Sequence, residues 1–246
     1  DDAFKEAIEP FTNYTIGRVK QDLNEGSTVI GGIFTSTIRN IKDENLEFMP
    51  DNSQVGGIDF EHNWKNRKYY IAAKSFASQI NGSEESIDLL QRSSRHYFQR
   101  PTKHLSIDST ATNLKGFAHK FACAKNRGEH WRWSLGEWAY SPGFEANDLG
   151  FNRQSDSQVQ FAWAQYREDD PGKYIRRHRT NFNLWSGSTF GKENTGNGGN
   201  INGNLTFINY WRIGSGIGYN IPGYHITATG GGPAKKSETR VNMCGQ

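Results

Sequence analysis

Apolar and polar residues alternate along most of this chain with a period of two, the pattern of strands that present one apolar and one polar face. Between 204 and 220 the odd positions carry Leu205, Phe207, Trp211, Ile213, Ile217 and Tyr219. The even positions carry Asn204, Thr206, Arg212, Gly214, Gly216, Gly218 and Asn220. Parity survives the polar break at Asn209. The segment is therefore one very long strand, or two strands joined by a three-residue turn at 208–210 that pairs Phe207 with Trp211. A two-residue turn would exchange the faces. Thr28, Ile30, Gly32, Phe34 and Ile38 share one parity; Gly56, Ile58, Phe60 and Trp64 share another, with Asp59, Glu61 and Asn63 opposed. The alternation continues through Tyr69–Ile80 and sets Trp131, Trp133 and Leu135 against Arg132, Ser134 and Gly136. It sets Val159, Phe161 and Trp163 against Gln158, Gln160 and Ala162, and Tyr174, Phe182 and Leu184 against Arg177, Arg179, Asn181 and Asn183. Helical spacing is confined to Asp1–Glu9 and Ser83–Ser93.

This pattern predicts about ten strands, many near the roughly 9–11 residues that a tilted strand needs to cross an outer membrane. Their connections are unequal: 40–51 and 81–112 are long, whereas Asp169-Asp170-Pro171-Gly172 signals a tight turn. Long loops at one end and short turns at the other are the habit of outer-membrane barrels. Files of Arg, Asn, Gln and Gly suit a wet lumen. Tyr69, Tyr70, Trp138, Tyr140, Tyr210 and Trp211 fall near strand ends, where interfacial girdles belong. The predicted fold is an all-β antiparallel meander of about ten strands forming a transmembrane β-barrel. A soluble β-sandwich also alternates and is the competing architecture. No fixed repeat marks a propeller or solenoid. The chain reads as a single β-barrel-type domain or a fragment of one over 1–246, with a short lead-in at 1–10, a long loop at 81–112 and a loop or tail at 222–246.

Composition narrows the class. Hydrophobic residues make up only 34% of the 246, yet aromatics reach 13%, which excludes a disordered chain. No run approaches the ~20 apolar residues of a spanning helix. With 29 basic and 26 acidic residues, net +3, charge gives no ground for nucleic-acid binding. The 7 His show no ligand spacing, and Cys123 and Cys244 lie far apart. No disulfide framework, metal site or other cofactor is predicted.

Glycan hydrolysis requires two carboxyl groups about 5–9.5 Å apart. Asp59 and Glu61 share a strand face but sit where a hydrated wall would place them. Glu145 and Asp148 lie in the Gly-, Pro- and Asn-containing loop 141–150, which suits ligand contact, although turn chemistry also accounts for Asn147 and Asp148. Around His96 and Gln99, Tyr97 and Phe98 could stack on sugar rings while Arg100 donates to hydroxyls; a loop plug packed on the wall is the alternative. The candidate carbohydrate-binding residues are thus Tyr97, Phe98, Arg100, Glu145 and Asp148, with no catalytic or metal-binding residue named. The stretch 195–204 lacks the Lys-Ser/Thr of a P-loop and the spaced acids of a calcium loop, and reads as a flexible turn. Arg176, Arg177, His178 and Arg179 alternate faces on a strand, which suits lumen charge or contact with anionic lipid more than nucleic acid.

As a set, EPFTNYTIGR (Glu9–Arg18), GGIFTSTIRN (Gly31–Asn40), GGIDFEHNWKNRKYY (Gly56–Tyr70), RHYFQRP (Arg95–Pro101), SPGFEANDLGFNRQ (Ser141–Gln154), NFNLWSG (Asn181–Gly187), GGNINGN (Gly198–Asn204) and GGGPA (Gly230–Ala234) cover nearly the whole chain. With them the chain resembles an uncharacterised outer-membrane family of Gram-negative bacteria. There, a large β-barrel-like domain of unknown function follows a family-9-type carbohydrate-binding module. The resemblance implies a module before Asp1 and further strands after Gln246. The sheet is then expected not to close, with edges at Phe11–Val19 and Leu205–Tyr219 covered by another chain, further strands or loops, because hydrocarbon cannot satisfy open backbone groups. The expected function is an outer-membrane, cell-surface scaffold or conduit associated with glycan binding. Its partners would be outer-membrane lipid, a polysaccharide or oligosaccharide, and other outer-membrane chains. A glycan-active hydrolase with loop carboxylates and a soluble β-sandwich carbohydrate-binding protein stay open.

Overall fold

The computed structural model describes residues 7–245, so the helix expected at Asp1–Glu9 falls mostly outside the described residues. Ten long strands follow one another: β1 (Phe11–Leu23), β2 (Thr28–Asn40), β3 (Asn52–Trp64), β4 (Tyr69–Asn81), β5 (Asn113–Lys125), β6 (Trp131–Tyr140), β7 (Ser157–Glu168), β8 (Ile175–Ser188), β9 (Asn194–Phe207) and β10 (Arg212–Ile221). The two-residue strands β11 (Tyr224–His225) and β12 (Lys235–Lys236) pair with each other, and β13 (Arg240–Gly245) returns to pair with β10. The result is an eleven-stranded antiparallel sheet in the order β1 to β10, then β13. Among the described residues it does not close: β1 and β13 each have one unpaired side.

The register sorts side chains onto two faces. Ile30 stands opposite Phe60, Phe60 opposite Ala73 and Ala73 opposite Phe121, all on one face. That face continues through Leu135, Ala162, Leu184, Ile201, Ile217 and Met243. It is largely apolar and open, with Ile58 68% exposed, Leu184 64% and Ile217 52%, but it also carries Glu137, 3.5 Å from His119 and opposite Gln160. Among the described residues no second sheet covers it, so the architecture is a single large sheet rather than two stacked ones.

Short turns close one end of the sheet. Asn24, Glu25 and Gly26 join β1 to β2, and Lys65, Asn66 and Arg67 join β3 to β4, all with positive φ. Between β9 and β10 the turn is 208–210; Phe207 N–H donates to the carbonyl of Trp211 (2.9 Å), and Tyr210 takes φ 69°. This is the three-residue alternative, and it keeps Leu205 and Ile213 on the same face.

The long connections cluster at the other end and pack onto the polar face. Helix α1 (Glu84–Arg92) lies within 81–112 and corresponds to the spacing at Ser83–Ser93. Ser83 caps it by accepting from Ser86 N–H (3.0 Å), and Glu84 and Glu85 suit its positive N-terminal end. Its Ile87 is buried against Ile80 and Leu114, a cross-strand pair of β4 and β5, with Leu90, Phe98 and Ala111 around them. The small apolar core therefore sits beneath a loop, not between sheets.

Several expectations need correction. Residues 195–204 form most of β9 instead of a flexible turn. Their glycines leave room for neighbours: Trp185 and Leu184 of β8 cover Gly198 and Gly199. Val159, Phe161 and Trp163 project on the polar face, because Ala162 and Ala164 face the apolar partners Leu135 and Trp133. Tyr70, Trp138 and Tyr140 also turn to the polar face. At the short-turn end the apolar face instead carries Trp64 stacked on Tyr69 (5.7 Å) and Trp131 edge-on to Tyr166 (5.1 Å). Leu205–Tyr219 is interior to the sheet, since 240–245 supplies β13 as its outer neighbour.

Candidate functional site

The loop end is held by two buried carboxylates. Glu145 Oε2 accepts from Arg95 Nε (2.8 Å) and lies 3.1 Å from His96 Nε2; its Oε1 accepts from the N–H groups of Ala146 (3.0 Å) and Asn147 (2.8 Å). Burial pushes this carboxyl upward, but hydrogen bonds from His96 and Asn147 and the charge of Arg95 outweigh it and hold the pKa at about 2. Asp156, 1% exposed, accepts from Arg100 (2.5 Å) and from Phe190 N–H (2.9 Å), with His104 Nε2 at 2.9 Å. Together the two acids tie segment 93–104 to loop 141–156 and to the β8–β9 connection. Arg39 of β2 joins them through an ion pair with Asp148.

Loop 141–156 is seated directly on the sheet. Glu145 N–H donates to Ser78 Oγ of β4 (3.1 Å), and Ser141 Oγ accepts from Phe117 N–H of β5 (2.8 Å). A Cβ at Gly116 would collide with the backbone of Gly143 and Phe144, which explains the glycine there.

The predicted carbohydrate contacts are therefore brought together, but in a latch. Glu145 and Arg100 are buried and spent on internal partners, and Asp148 is engaged by Arg39. Phe98 packs into the cluster of Ile80, Ile87 and Leu114. Tyr97 is half-buried with φ 47°. Of the other acids, Asp59 pairs with Arg18 (2.5 Å) and Glu61 accepts from Asn63 (2.9 Å).

Below the latch, the polar face of β6–β10 offers different chemistry. Trp138 and Phe161 meet at 5.6 Å; Trp185 stands opposite Phe161, and Trp163 lies two residues farther along the same face. A carboxamide chain runs across three strands: Gln165 to Asn181 (2.8 Å), Asn181 to Asn202 (2.9 Å), Asn202 to Asn200 (2.8 Å) and Asn183 to Asn200 (2.7 Å). A cavity of about 460 Å³ is lined by Trp185, Asn200, Asn202, Asn204, Asn220 and Asn242, over the side-chain-free positions Gly214, Gly216 and Gly218. Flat aromatic faces beside amides that both donate and accept are suited to sugars, which present apolar ring faces and hydroxyl edges. Among the described residues no group of three or more His, Cys, Asp or Glu could hold a metal ion.

Sequence reasoning missed Asp156, His104, Arg39 and the tryptophans of this wall as site residues. The polar file of Asn181 and Asn183, and Gln165 two residues after Trp163, were the signal available for the wall. Nothing in spacing links Arg100 to Asp156, which are 56 positions apart.

No curated protein matches the chain, and no solved structure does. Residues 1–225, which take in β1 to β11, match the family described as Domain of unknown function (DUF5916). The chain belongs to the DUF5916 family.

Proposed function

We propose that this chain builds part of the wall of an outer-membrane β-barrel at the bacterial cell surface, acting as a scaffold or conduit associated with glycan binding and not as a catalyst. The observation that carries this reading is the open, largely apolar face that runs from Phe34 and Ile58 through Leu135 and Leu184 to Ile217 and Met243, interrupted by Glu137 and His119. Soluble monomers rarely expose so extended an apolar surface. The opposite face is polar and plugged by loops at one end only, and the aromatic pairs Trp64–Tyr69 and Trp131–Tyr166 sit at the short-turn end, where an interface would lie. The free sides of β1 and β13 would then pair with further strands, since hydrocarbon leaves no alternative partner for backbone groups. The engagement of Glu145 and Asp148 by cations favours the non-catalytic form of the reading.

Single-tryptophan variants in vesicles made with dibrominated lipid test this. Trp64 and Trp131, on the apolar face, should be quenched strongly, and Trp163 and Trp185 weakly. Equal quenching of the two sets, or a monodisperse chain in buffer without detergent or partner, would overturn it.

A further inference from the structure

The two halves of the polar face differ in charge balance. On β1–β5, cations and acids are mixed: Arg18 pairs with Asp59, and Glu61, Lys74 and Lys120 line a common hollow. On β6–β10 the polar-face strand positions carry Arg132, Arg167, Arg177, Arg179 and Arg212 and no carboxylate. Arg167 stands directly opposite Arg179 in the register, and the charges of Arg132, Arg177 and Arg179 all bear on it. Like charges placed opposite one another destabilise a sheet. One acid answers them: Asp169, in the following turn, pairs with Arg167 and lies 3.5 Å from Arg179. Among the described residues Arg132 and Arg177 have no ion-pair partner. The Nε atoms of Arg132, Arg167 and Arg179 are buried without a hydrogen-bond partner, an expensive state for guanidinium donors.

We propose that Arg132, Arg167 and Arg179 form an oxyanion site for the carboxylate of an acidic oligosaccharide. A planar carboxylate matches the donor fork of a guanidinium and supplies the missing negative charge. The sugar class follows from the neighbours. On β7, Phe161, Trp163, Gln165 and Arg167 occupy successive positions of one face, so an aromatic platform, an amide and a guanidinium succeed each other at about 7 Å intervals. Asn181 and Asn183 flank them on β8. A ring stacked on Trp163 places the next sugar along β7 over the arginines. The proposal rests on the glycan-binding reading and gives it a ligand class.

The test uses the full chain in detergent micelles and isothermal titration with trigalacturonate, with a neutral trisaccharide and with inorganic sulfate, all at one ionic strength. Trigalacturonate should bind at least tenfold more tightly than the neutral sugar. Arg167→Gln and Arg132→Gln should each weaken it about tenfold, whereas Lys120→Gln, on the mixed half of the same face, should leave it unchanged. Because Arg167→Gln relieves repulsion, its melting temperature should hold or rise while affinity falls, a split that a purely structural arginine would not give. Equal affinity for acidic and neutral sugars, sulfate binding without saccharide binding, or undiminished affinity in both arginine variants would overturn the proposal. Lipid quenching measured on the same preparation separates this failure from failure of the membrane reading.

Discussion

His96 grips Glu145 from inside the loop plug: its Nε2 lies 3.1 Å from the carboxylate while its Nδ1 lies 2.8 Å from the carbonyl oxygen of Pro142. Both ring nitrogens face oxygen atoms of loop 141–156. With Arg95 on the same oxygen, the acid sits among donors only, so proton uptake by Glu145 breaks the arrangement.

That gives a signed pH dependence. The folded-state pKa of Glu145, about 2, lies below the ordinary 4.5, so the unfolded plug binds the proton more readily. Its stabilisation is full above about pH 4.5 and is lost as pH falls toward about 2, amounting to about 3 kcal/mol. Amide exchange over 95–101 and 144–152, corrected for its intrinsic pH dependence, should accelerate across that window. Glu145→Gln should flatten the response and exchange faster at neutral pH.

Asp156 anchors the other half. Asp156→Asn leaves Arg100, 3% exposed, buried without its counter-charge and should cost about 3–5 kcal/mol. Adding Arg100→Met should recover most of that loss, because the stranded charge is then gone. Denaturant unfolding of the two single variants and the double variant measures the coupling; simple additivity would contradict it.

Adjacent residues of β10 test the two faces. Ile213 lies on the apolar face, where an arginine should cost about 2–4 kcal/mol at a bilayer midplane. Gly214, one residue on, points to the polar face, and a Cβ there would meet nothing nearer than the Gly203 carbonyl oxygen at 3.7 Å. Gly214→Arg should therefore insert into vesicles nearly as well as the parent, and Ile213→Arg should not. Equal behaviour would mean that the faces have been assigned wrongly.

Arg18 reaches Asp59 across β2 over Gly31, where a Cβ would stand 2.7 Å from the carboxylate and 2.9 Å from the guanidinium. Gly31→Val should separate the pair and loosen β1, the strand with a free side. Both partners are flexible side chains, so the loss should be modest, and salt should shrink the difference between variant and parent. Amide exchange in β1 at low and high salt reads it directly.

Much of the sheet was legible because period two is a local property: Ile30, Ile58, Leu135 and Ile213 each announce a face through their nearest neighbours. Which face that is depends on the partner strand. Phe161 and Trp163 keep their parity yet project to the polar side, since Ala162 and Ala164 meet Leu135 and Trp133. Gly198 and Gly199 read as turn residues because the side chains that fill their space, Trp185 and Leu184, belong to another strand. The latch was less legible still. Arg100 and Glu145 look like exposed loop chemistry in the sequence, and only long-range contacts with Asp156, Arg95 and His96 reveal that they are buried.

The turn at 208–210 works as a reading frame for everything downstream. Because Phe207 faces Trp211, an odd number of residues separates the partners, and each later residue inherits its side from that count. Losing one residue there would shift the frame. Arg212 and Asn220 would swing to the greasy surface and Ile213, Ile217 and Tyr219 to the wet one, with β13 obliged to follow its partner. Insertions or deletions of two residues preserve the frame, so length variation in this hairpin should be tolerated in even steps only.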